Sequence, residues 1–392
     1  MPISSQFAAH LPAAGALAAV ATGLLAVQLG SAWSARPARN SRRPSRSSSV
    51  DETGAGLTII RPLSGLEPFS EATLRSTFEL DHDELEIYFC VARTDDPIVP
   101  LVTQLIAAYP GRRATLLIGN ERICANPKLN NVVKGWHATT TPWVMFADSN
   151  VLLPRDAVAR LWARWDERCG MVCTAPVGSR ASGWAAKLEC AFLNGYQARW
   201  QMAADGVGLG FAQGKVMFFQ RRLVIAAGGL GALAEEPAED AAATNVVHAA
   251  GLQVRLVDKP FEQPLGYRTL LSVWKRQVRW AQLRRATFPR FFYPELLSSG
   301  VVATALFAAS AAMFGGPVVL SALAYAMIWY SAELAVVVLY RWPLGIESLP
   351  LMVLRDVFVP TVWAVAIWKN DFEWQGHAMR VDSAAEGAAT GA

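Results

Sequence analysis

Four stretches of the chain are strongly apolar, and they bracket a long region of shorter hydrophobic runs. Residues 11 to 33 read LPAAGALAAVATGLLAVQLGSAW with no charge at all, a length that predicts a helix able to cross a hydrocarbon core of about 30 Å. Residues 296 to 316 and 317 to 340 predict two more spans, the second carrying Glu333. Residues 349 to 368 form a further apolar segment interrupted by Arg355, Asp356 and Pro360. It is either a further span or a re-entrant or interfacial segment, and Arg341 before it with Lys369 and Arg380 after it favour both ends on one side of the membrane, a segment that does not cross. Between these stretches, short apolar runs bounded by turn residues predict strands at 57 to 62, 85 to 92, 114 to 119, 143 to 148, 170 to 175, 215 to 220 and 253 to 258. Runs without polar alternation suit strands covered on both faces, as in a parallel sheet. Amphipathic stretches such as 97 to 108 and 154 to 168 predict the intervening helices, so the expected fold is α/β with a mixed, mostly parallel sheet. Ligands of such sheets bind beyond the carboxyl ends of the strands.

Composition sharpens the membrane reading. Over 392 residues, 53% are hydrophobic and 17% charged, with 14 Trp, too apolar for a wholly water-soluble enzyme. The net charge of +4 comes from basic residues that are dispersed or adjacent to apolar segments. That is no nucleic-acid footprint, and the expected partner surface is the bilayer. Arg36, Arg39, Arg42, Arg43 and Arg46 come after the first apolar run rather than before it. This argues against a cleaved signal and places the chain beyond that run in the cytoplasm, with 36 to 55 as a linker that either touches anionic headgroups or is a plain solvated tether. Five cysteines, an odd number with no metal-ligand spacing, point to a reducing compartment and structural thiols. The expected organisation is a transmembrane segment (1 to 35), the linker (36 to 55), a cytoplasmic domain (56 to 290), a membrane region (291 to 380) and a tail (381 to 392).

The chemistry gathers at strand ends. WVMFADSN places Asp148 directly after a buried run, Asp96 follows IYFCVARTD, and Asp240 closes LAEEPAED ahead of a helix. Alone, each is as well read as a turn or helix-capping residue. Downstream, VWKRQVRWAQLRR puts Arg276 and Arg279 three apart on one helical face with Trp280 a turn beyond Arg276. The same stretch also reads as a basic amphipathic helix at a membrane surface.

Taken together, these residues resemble the ceramide glucosyltransferase family, inverting membrane enzymes with a GT-A-type, Rossmann-like nucleotide-sugar-binding domain. The family signature D, D, D, (Q/R)xxRW is matched by Asp96, Asp148, Asp240 and Arg276, Arg279, Trp280; RPLSGLEP (61 to 68) and NPKLNN (126 to 131) resemble further family stretches. The resemblance covers nearly the whole chain after residue 10. It implies transfer of glucose from UDP-glucose to the primary hydroxyl of ceramide with inversion, Asp240 as the general base, and Asp148 as ligand of a divalent cation, Mg2+ or Mn2+. Asn150 stands where a second acid is often found. Asp96, with Asp95 as the adjacent alternative, is placed at the uracil or ribose, and Lys128, Arg276, Arg279 and Trp280 also at the nucleotide sugar; Glu235, Glu236 and Glu239 neighbour Asp240 closely. Where animal members have a His, NGYQARW has Gln197, so no role of that His carries over. His248 and His377 read as structural or surface residues. Other acceptors, a hopanoid or a diacylglycerol, keep the same chemistry. A processive polysaccharide synthase shares the acids and wants more spans after the motif. The short basic arm without an organelle signal suggests a bacterial inner membrane.

Overall fold

The computed structural model describes residues 3–36, 56–374 and 377–380. Arg39, Arg42, Arg43 and Arg46 of the linker and the tail 381 to 392 lie outside them. In chain order the strands are β1 (Leu57–Leu63), β2 (Leu85–Val91), β3 (Arg113–Ile118), β4 (Trp143–Ala147), β5 (Cys169–Cys173), β6 (Val177–Ser182), β7 (Val216–Gln220), β8 (Gln253–Leu256), β9 (Glu262–Tyr267), β10 (Asp371–Trp374) and β11 (His377–Arg380). The α-helices are α1 (Ile3–Ser34), α2 (Ser70–Phe78), α3 (Val99–Ala108), α4 (Pro127–Ala138), α5 (Ala157–Trp162), α6 (Trp184–Ala191), α7 (Arg199–Gly206), α8 (Arg221–Ala226) and α9 (Glu239–Ala249). They continue with α10 (Leu270–Thr287), α11 (Pro289–Phe292), α12 (Gly300–Met313), α13 (Val318–Leu339) and α14 (Ser348–Trp368), and a π-helix (Phe192–Ala198) joins α6 to α7.

All seven expected strands form, within two residues of their predicted bounds, and they make one sheet in the order β3-β2-β1-β4-β7-β5-β8. Its neighbours pair in parallel except β7, which runs antiparallel to both β4 and β5. Every side chain of β1 and β4 is buried, as runs covered on both faces require. The two faces pack separate cores, one around Phe78, Phe89 and Phe218, the other around Trp136, Phe146 and Phe219. The pairing of β6 with β9 has no counterpart in the apolar pattern, because both strands are short and rich in Gly, Ser or polar residues. The helix expected over 154 to 168 is only α5. The chain turns after Trp162, and Trp162 and Trp165 both pack edge-on against Trp143.

Among the described residues three helices, His10–Ser34 within α1, α13 and α14, are long and apolar enough to cross a membrane. The segment 296 to 316 differs from its expectation as one straight span. α12 has 14 residues, too few to cross alone, and it meets the preceding Pro289–Ser298 helix at a 58° bend. α1 is fastened to the carboxyl-terminal helices by polar contacts: Ser310 Oγ donates to the Ala14 carbonyl (2.8 Å) and Tyr325 OH to the Ala21 carbonyl (2.7 Å). Arg355 and Asp356 of α14 are buried and paired with each other, and Arg355 also with Glu333 of α13. The charges that interrupt this segment therefore face protein.

Candidate active site

Asp148 follows the last residue of β4, and its loop is held from below. Arg61, buried in the central strand β1, donates to the Thr73 carbonyl (2.6 Å), Thr77 Oγ1 (2.6 Å) and the carbonyls of Asp148 (2.5 Å) and Val151 (2.9 Å). Burial lowers the Arg61 pKa to about 9, with the Asp148 carboxylate opposing that loss. With the Ser149 carbonyl at 3.3 Å the guanidinium meets five acceptors, and the Asp148 loop is preorganised by a cation beneath it.

Two ammonium groups meet the Asp148 carboxylate. Lys128 Nζ lies 2.5 Å from Oδ1 and Lys215 Nζ 2.9 Å from Oδ2, and Lys215 also reaches Asn150 Oδ1 at 3.4 Å. Burial alone would raise the Asp148 pKa, but the two lysines hold it below the ordinary carboxylate value. Lys128 stands in the first turn of α4, whose amino end is capped by Asn126: Oδ1 accepts from Lys128 N (2.9 Å) and Leu129 N (3.2 Å). The same Asn126 donates through Nδ2 to Glu239 Oε2 (2.8 Å), and Glu239 Oε1 lies 2.5 Å from Lys128 Nζ. Desolvation works to lower the Lys128 pKa, yet Asp148 and Glu239 raise it above the free-lysine value.

Asp240 completes the cluster from the first turn of α9. Gly214 has φ +66°, and a Cβ placed there would lie 2.9 Å from Asp240 Oδ2 and 3.3 Å from Lys128 Nζ. Glycine is therefore needed both for its backbone conformation and to leave room for that carboxylate. Burial and, after it, the neighbouring Glu239 raise the Asp240 pKa to about 7, against the pull of Lys128. A carboxyl group poised there is suited to general-base work at neutral pH.

Asp96 is the inward-facing member of its pair. It accepts from Gly65 N (3.0 Å) and Ile98 N (3.0 Å), tying the loop after β1 to the loop after β2. Asp95 is 73% exposed and pairs with Arg93 at 3.0 Å. The asparagines following Lys128 serve the scaffold. Asn130 binds the Ile123 and Cys124 backbone, and Asn131 Nδ2 donates to the Leu63 (3.0 Å) and Cys90 (2.7 Å) carbonyls. Both side chains are taken up by backbone groups.

The arginines of α10 converge on a buried acid. Arg276 NH1 donates to Glu189 Oε1 (2.6 Å) and its guanidinium lies 6.0 Å from the Trp280 ring. Burial, with Arg276 beside it, lowers the Arg279 pKa to about 10, and Glu189 acts in the opposite sense. Arg268 Nε is 3.8 Å from Glu189 Oε2, Arg268 NH2 donates to Glu67 Oε2 (3.1 Å), and Asn150 Nδ2 lies 3.5 Å from Glu67 Oε1. A line of polar contacts, ionic from Glu67 onward, thus runs from the Asp148 loop to Arg276.

The profile of glycosyl transferase family 21 matches residues 13–386. The chain belongs to that family. It is 25% identical over 268 residues to ceramide glucosyltransferase 1 of Caenorhabditis elegans, covering 68% of this chain and 58% of that protein. It is 36% identical over 109 residues to the ceramide glucosyltransferase of Komagataella phaffii, covering 27% and 21%. The chain thus spans less than two thirds of the length of either relative. Among solved structures, mannosyltransferase PcManGT from Pyrobaculum calidifontis in complex with GDP-Man and Mn2+ matches at TM-score 0.48 and 18% identity, over 90% of this chain and 98% of that one.

Of the candidate residues, the structure brings Asp148 and Asp240 of the signature together with Lys128 in one cluster and gathers Arg276 and Arg279 around Glu189. Arg61, Lys215, Glu67, Arg268 and Glu189 escaped assignment in the sequence, where Glu239 stands only as a neighbour of Asp240. Glu67 and Arg61 lie in the RPLSGLEP stretch, and Glu189 is a lone acid in the apolar helix WAAKLECA. A carboxylate in such a helix is a signal in itself, since burial without a partner costs several kcal/mol. Among the described residues no three His, Cys, Asp or Glu side chains converge to hold a metal ion. The donor set is one deprotonated carboxylate, Asp148, with the Asn150 amide oxygen nearby. That set fits an ion of the Mg2+ type, which is commonly held by one or two carboxylates and takes its remaining ligands from water and substrate phosphates.

Proposed function

We propose that the protein is a membrane glycosyltransferase that moves glucose from UDP-glucose to the primary hydroxyl of ceramide, with inversion. The observation that carries this reading is the half-buried Asp240 carboxylate, which meets the Lys128 and Asp148 pair across Gly214, with its pKa raised to about 7. The names of the relatives support the choice of donor sugar and acceptor. In the reaction the acceptor oxygen bonds to the anomeric carbon as the bond from that carbon to the diphosphate oxygen breaks. The hydroxyl proton passes to Asp240, and UDP leaves. Asp148 and Asn150 hold the divalent cation, Mg2+ or Mn2+, which when bound neutralises charge on the departing diphosphate. Lys128 and Lys215, now on the two Asp148 oxygens, turn toward the phosphates when the donor arrives. Arg276 and Arg279 supply further positive charge, and Trp280 offers a flat face to the sugar. Asp96 receives hydrogen bonds from the uracil or ribose. The α/β unit of residues 56 to 290 stands on the cytoplasmic face, anchored by apolar helices on either side of it in sequence, in a bacterial inner membrane.

The test is transfer from radiolabelled UDP-glucose, in detergent, to ceramide, diacylglycerol and a hopanoid polyol in parallel. Product with ceramide alone is expected. Product only with another lipid overturns the acceptor, and no product with any UDP-sugar overturns the transferase. EDTA is expected to lower transfer by roughly 100-fold or more, with recovery on adding Mg2+ or Mn2+, as for loss of one electrostatic stabiliser of the leaving group. Undiminished turnover in EDTA removes the cation from the mechanism.

Glu239 tunes the base. Glu239→Gln removes the like charge next to Asp240, which lowers the Asp240 pKa, so the rising limb of the kcat/KM profile is expected to move toward lower pH. A limb that stays in place or moves to higher pH contradicts this coupling.

A further inference from the structure

We infer that α14 does not cross the bilayer but lies flat in its surface, with its inner side on the α/β domain and its outer side in the layer between headgroups and acyl chains, an inference independent of the reaction proposed above. Both ends of the helix are fastened to that one domain. Just before its first turn, Glu347 Oε1 lies 2.5 Å from Lys187 Nζ of α6. At its other end Arg285 of α10 donates to the Ile367 carbonyl (2.6 Å) and to Asn370 Oδ1 (2.5 Å), and Gln282 Nε2 donates to the Lys369 carbonyl (2.7 Å). Between the ends, Arg355 NH1 donates to the Ala191 carbonyl (3.1 Å) and the rings of Phe358 and Trp274 are 5.9 Å apart. From first turn to last, α14 runs along α6, the π-helix and α10 in turn. α6 follows β6 and α10 follows β9, and those two strands pair in parallel, so both anchors start from the same small sheet. The 21 residues of α14 rise about 31 Å, enough to cross. A crossing would nevertheless carry one end through the hydrocarbon together with the helix bound to it. For α10 that means burying Arg276, Arg279, Arg284 and Arg285 in lipid, which their charge forbids.

The outer side of α14 identifies what covers it. Leu349, Val353, Val357 and Trp368 are exposed and fall on one side of the helix, with Trp368 84% exposed, while Met352, Val359 and Val362 are buried on the other. Arg355 and Asp356, the charges of α14, are both on the buried side. A helix resting in water carries its polar residues outward, and here the order is reversed. Aromatic residues of the kind that collect at a membrane surface flank the helix. Phe291 and Tyr293 are exposed on either side of Phe292, which stacks on Trp363 at 6.0 Å, and Trp33 is exposed in the last turn of α1. The chain also comes back to this level before α14 begins. Tyr340 OH donates to the Ala35 carbonyl (2.8 Å) and so joins the end of α13 to the end of α1, whereas Ser310 and Tyr325 meet Ala14 and Ala21 farther out along α1. α12 and α13 therefore rise along α1 and return, and the exposed stripe of α14 continues the lipid-facing surface of those helices. That continuity selects the bilayer over a second copy of the chain. Because α10 packs on α14, a flat α14 also fixes Arg276 and Arg279 near headgroup depth.

Single cysteines in the full chain test this, in sealed vesicles with the α/β domain outward and a membrane-impermeant maleimide outside. Label is read peptide by peptide, so the five native cysteines, which all lie from Cys90 to Cys190, do not interfere. Asp95→Cys marks the domain side and Phe314→Cys, in the turn between α12 and α13, the far side; both residues are exposed. Lys369→Cys is expected to label as readily as Asp95→Cys. Label at Lys369→Cys only after the vesicles are opened, as at Phe314→Cys, shows a crossing helix and overturns the inference. Spin labels at Leu349→Cys, Val357→Cys and Trp368→Cys in liposomes give the depth independently of those two markers. All three are expected at one shallow depth, about 5 to 10 Å below the headgroups, relaxed more by oxygen than by a water-soluble nickel chelate. Val357→Cys deep with Leu349→Cys and Trp368→Cys at opposite surfaces again means a crossing. Relaxation mainly by the chelate at all three positions puts the outer side in water, and protection from both agents puts a second copy of the chain over it. Either result overturns the bilayer as the partner of this face.

Discussion

Asp240→Asn is expected to lower kcat by roughly 10³-fold while the KM for the nucleotide sugar changes little. General-base assistance is worth about 10² to 10⁴ in rate, and Asn has the shape of Asp without its basicity. The wild-type rate should carry the signature of the same group. Asp240 acts when ionised, so kcat/KM rises tenfold per pH unit below about 7 and levels off above it. The stability consequence has the opposite sense. The carboxyl pKa is raised in the folded protein, so its contribution is fully present below the unfolded value near 3.9 and is lost as the pH climbs through about 7. Asp240→Asn escapes that loss and should melt no lower than wild type at pH 8, with any gain vanishing below about pH 4. A variant that loses turnover and also melts well below wild type at pH 8 would show a structural role and remove Asp240 as the base.

What the sequence made legible was whatever is written locally. Continuous apolar runs such as WVMFA mark strands buried on both faces, and an acid directly after one marks the carboxyl edge of the sheet. From this the sheet, the terminal apolar helices and the positions of Asp148 and Asp240 could be read. Partnership could not, because it depends on residues far apart in the chain. Arg61 holds the Asp148 loop across 87 positions and Arg276 finds Glu189 across 87 more. Lys215 looks like the polar start of the strand KVMFFQ, and only the antiparallel insertion of β7 beside β4 carries its ammonium to Asp148. The roles of Asn130 and Asn131 are set by partners elsewhere in the chain too. Their side chains meet backbone carbonyls and amides that need partners. The break before α12 was likewise hidden within an apolar run, since it is set by Ser299 and Gly300. Ser299 Oγ donates to the Asp356 carbonyl (2.7 Å) and Gly300 N to Asp356 Oδ2 (2.8 Å).

Arg355→Met is expected to destabilise the protein by roughly 3 to 5 kcal/mol, the cost of stripping the cation from a buried ion pair. Arg355 pairs with Glu333, with NH2 2.9 Å from Oε2, and with Asp356, with NH2 2.8 Å from Oδ1; all three residues are at most 1% exposed. Without the guanidinium, two carboxylates remain facing each other among apolar helices, where ionisable groups are tolerated only when paired. Glu333→Gln should cost less, because a neutral amide leaves Arg355 still paired to Asp356. The double variant Glu333→Gln with Arg355→Met should cost less than the sum of the two, since each single change already removes their shared contact. The effect reaches the site as well. Arg355 NH1 donates to the Ala191 carbonyl (3.1 Å) and the guanidinium lies 5.2 Å from the Tyr196 ring, fixing the π-helix at its junction with α6. Gly195 leaves no room for any side chain there, because a Cβ would overlap the Glu333 carboxylate. Since Glu189 precedes that junction by two residues and holds Arg276, loosening α14 should let the α10 arginines drift and lower transfer at temperatures where the fold survives. Unfolding in detergent, followed by intrinsic tryptophan fluorescence, measures the first effect and initial rates below the transition measure the second. A cost under about 1 kcal/mol for Arg355→Met would mean that water or lipid headgroups already reach this network, and the buried pairing would not be what joins α14 to the α/β domain.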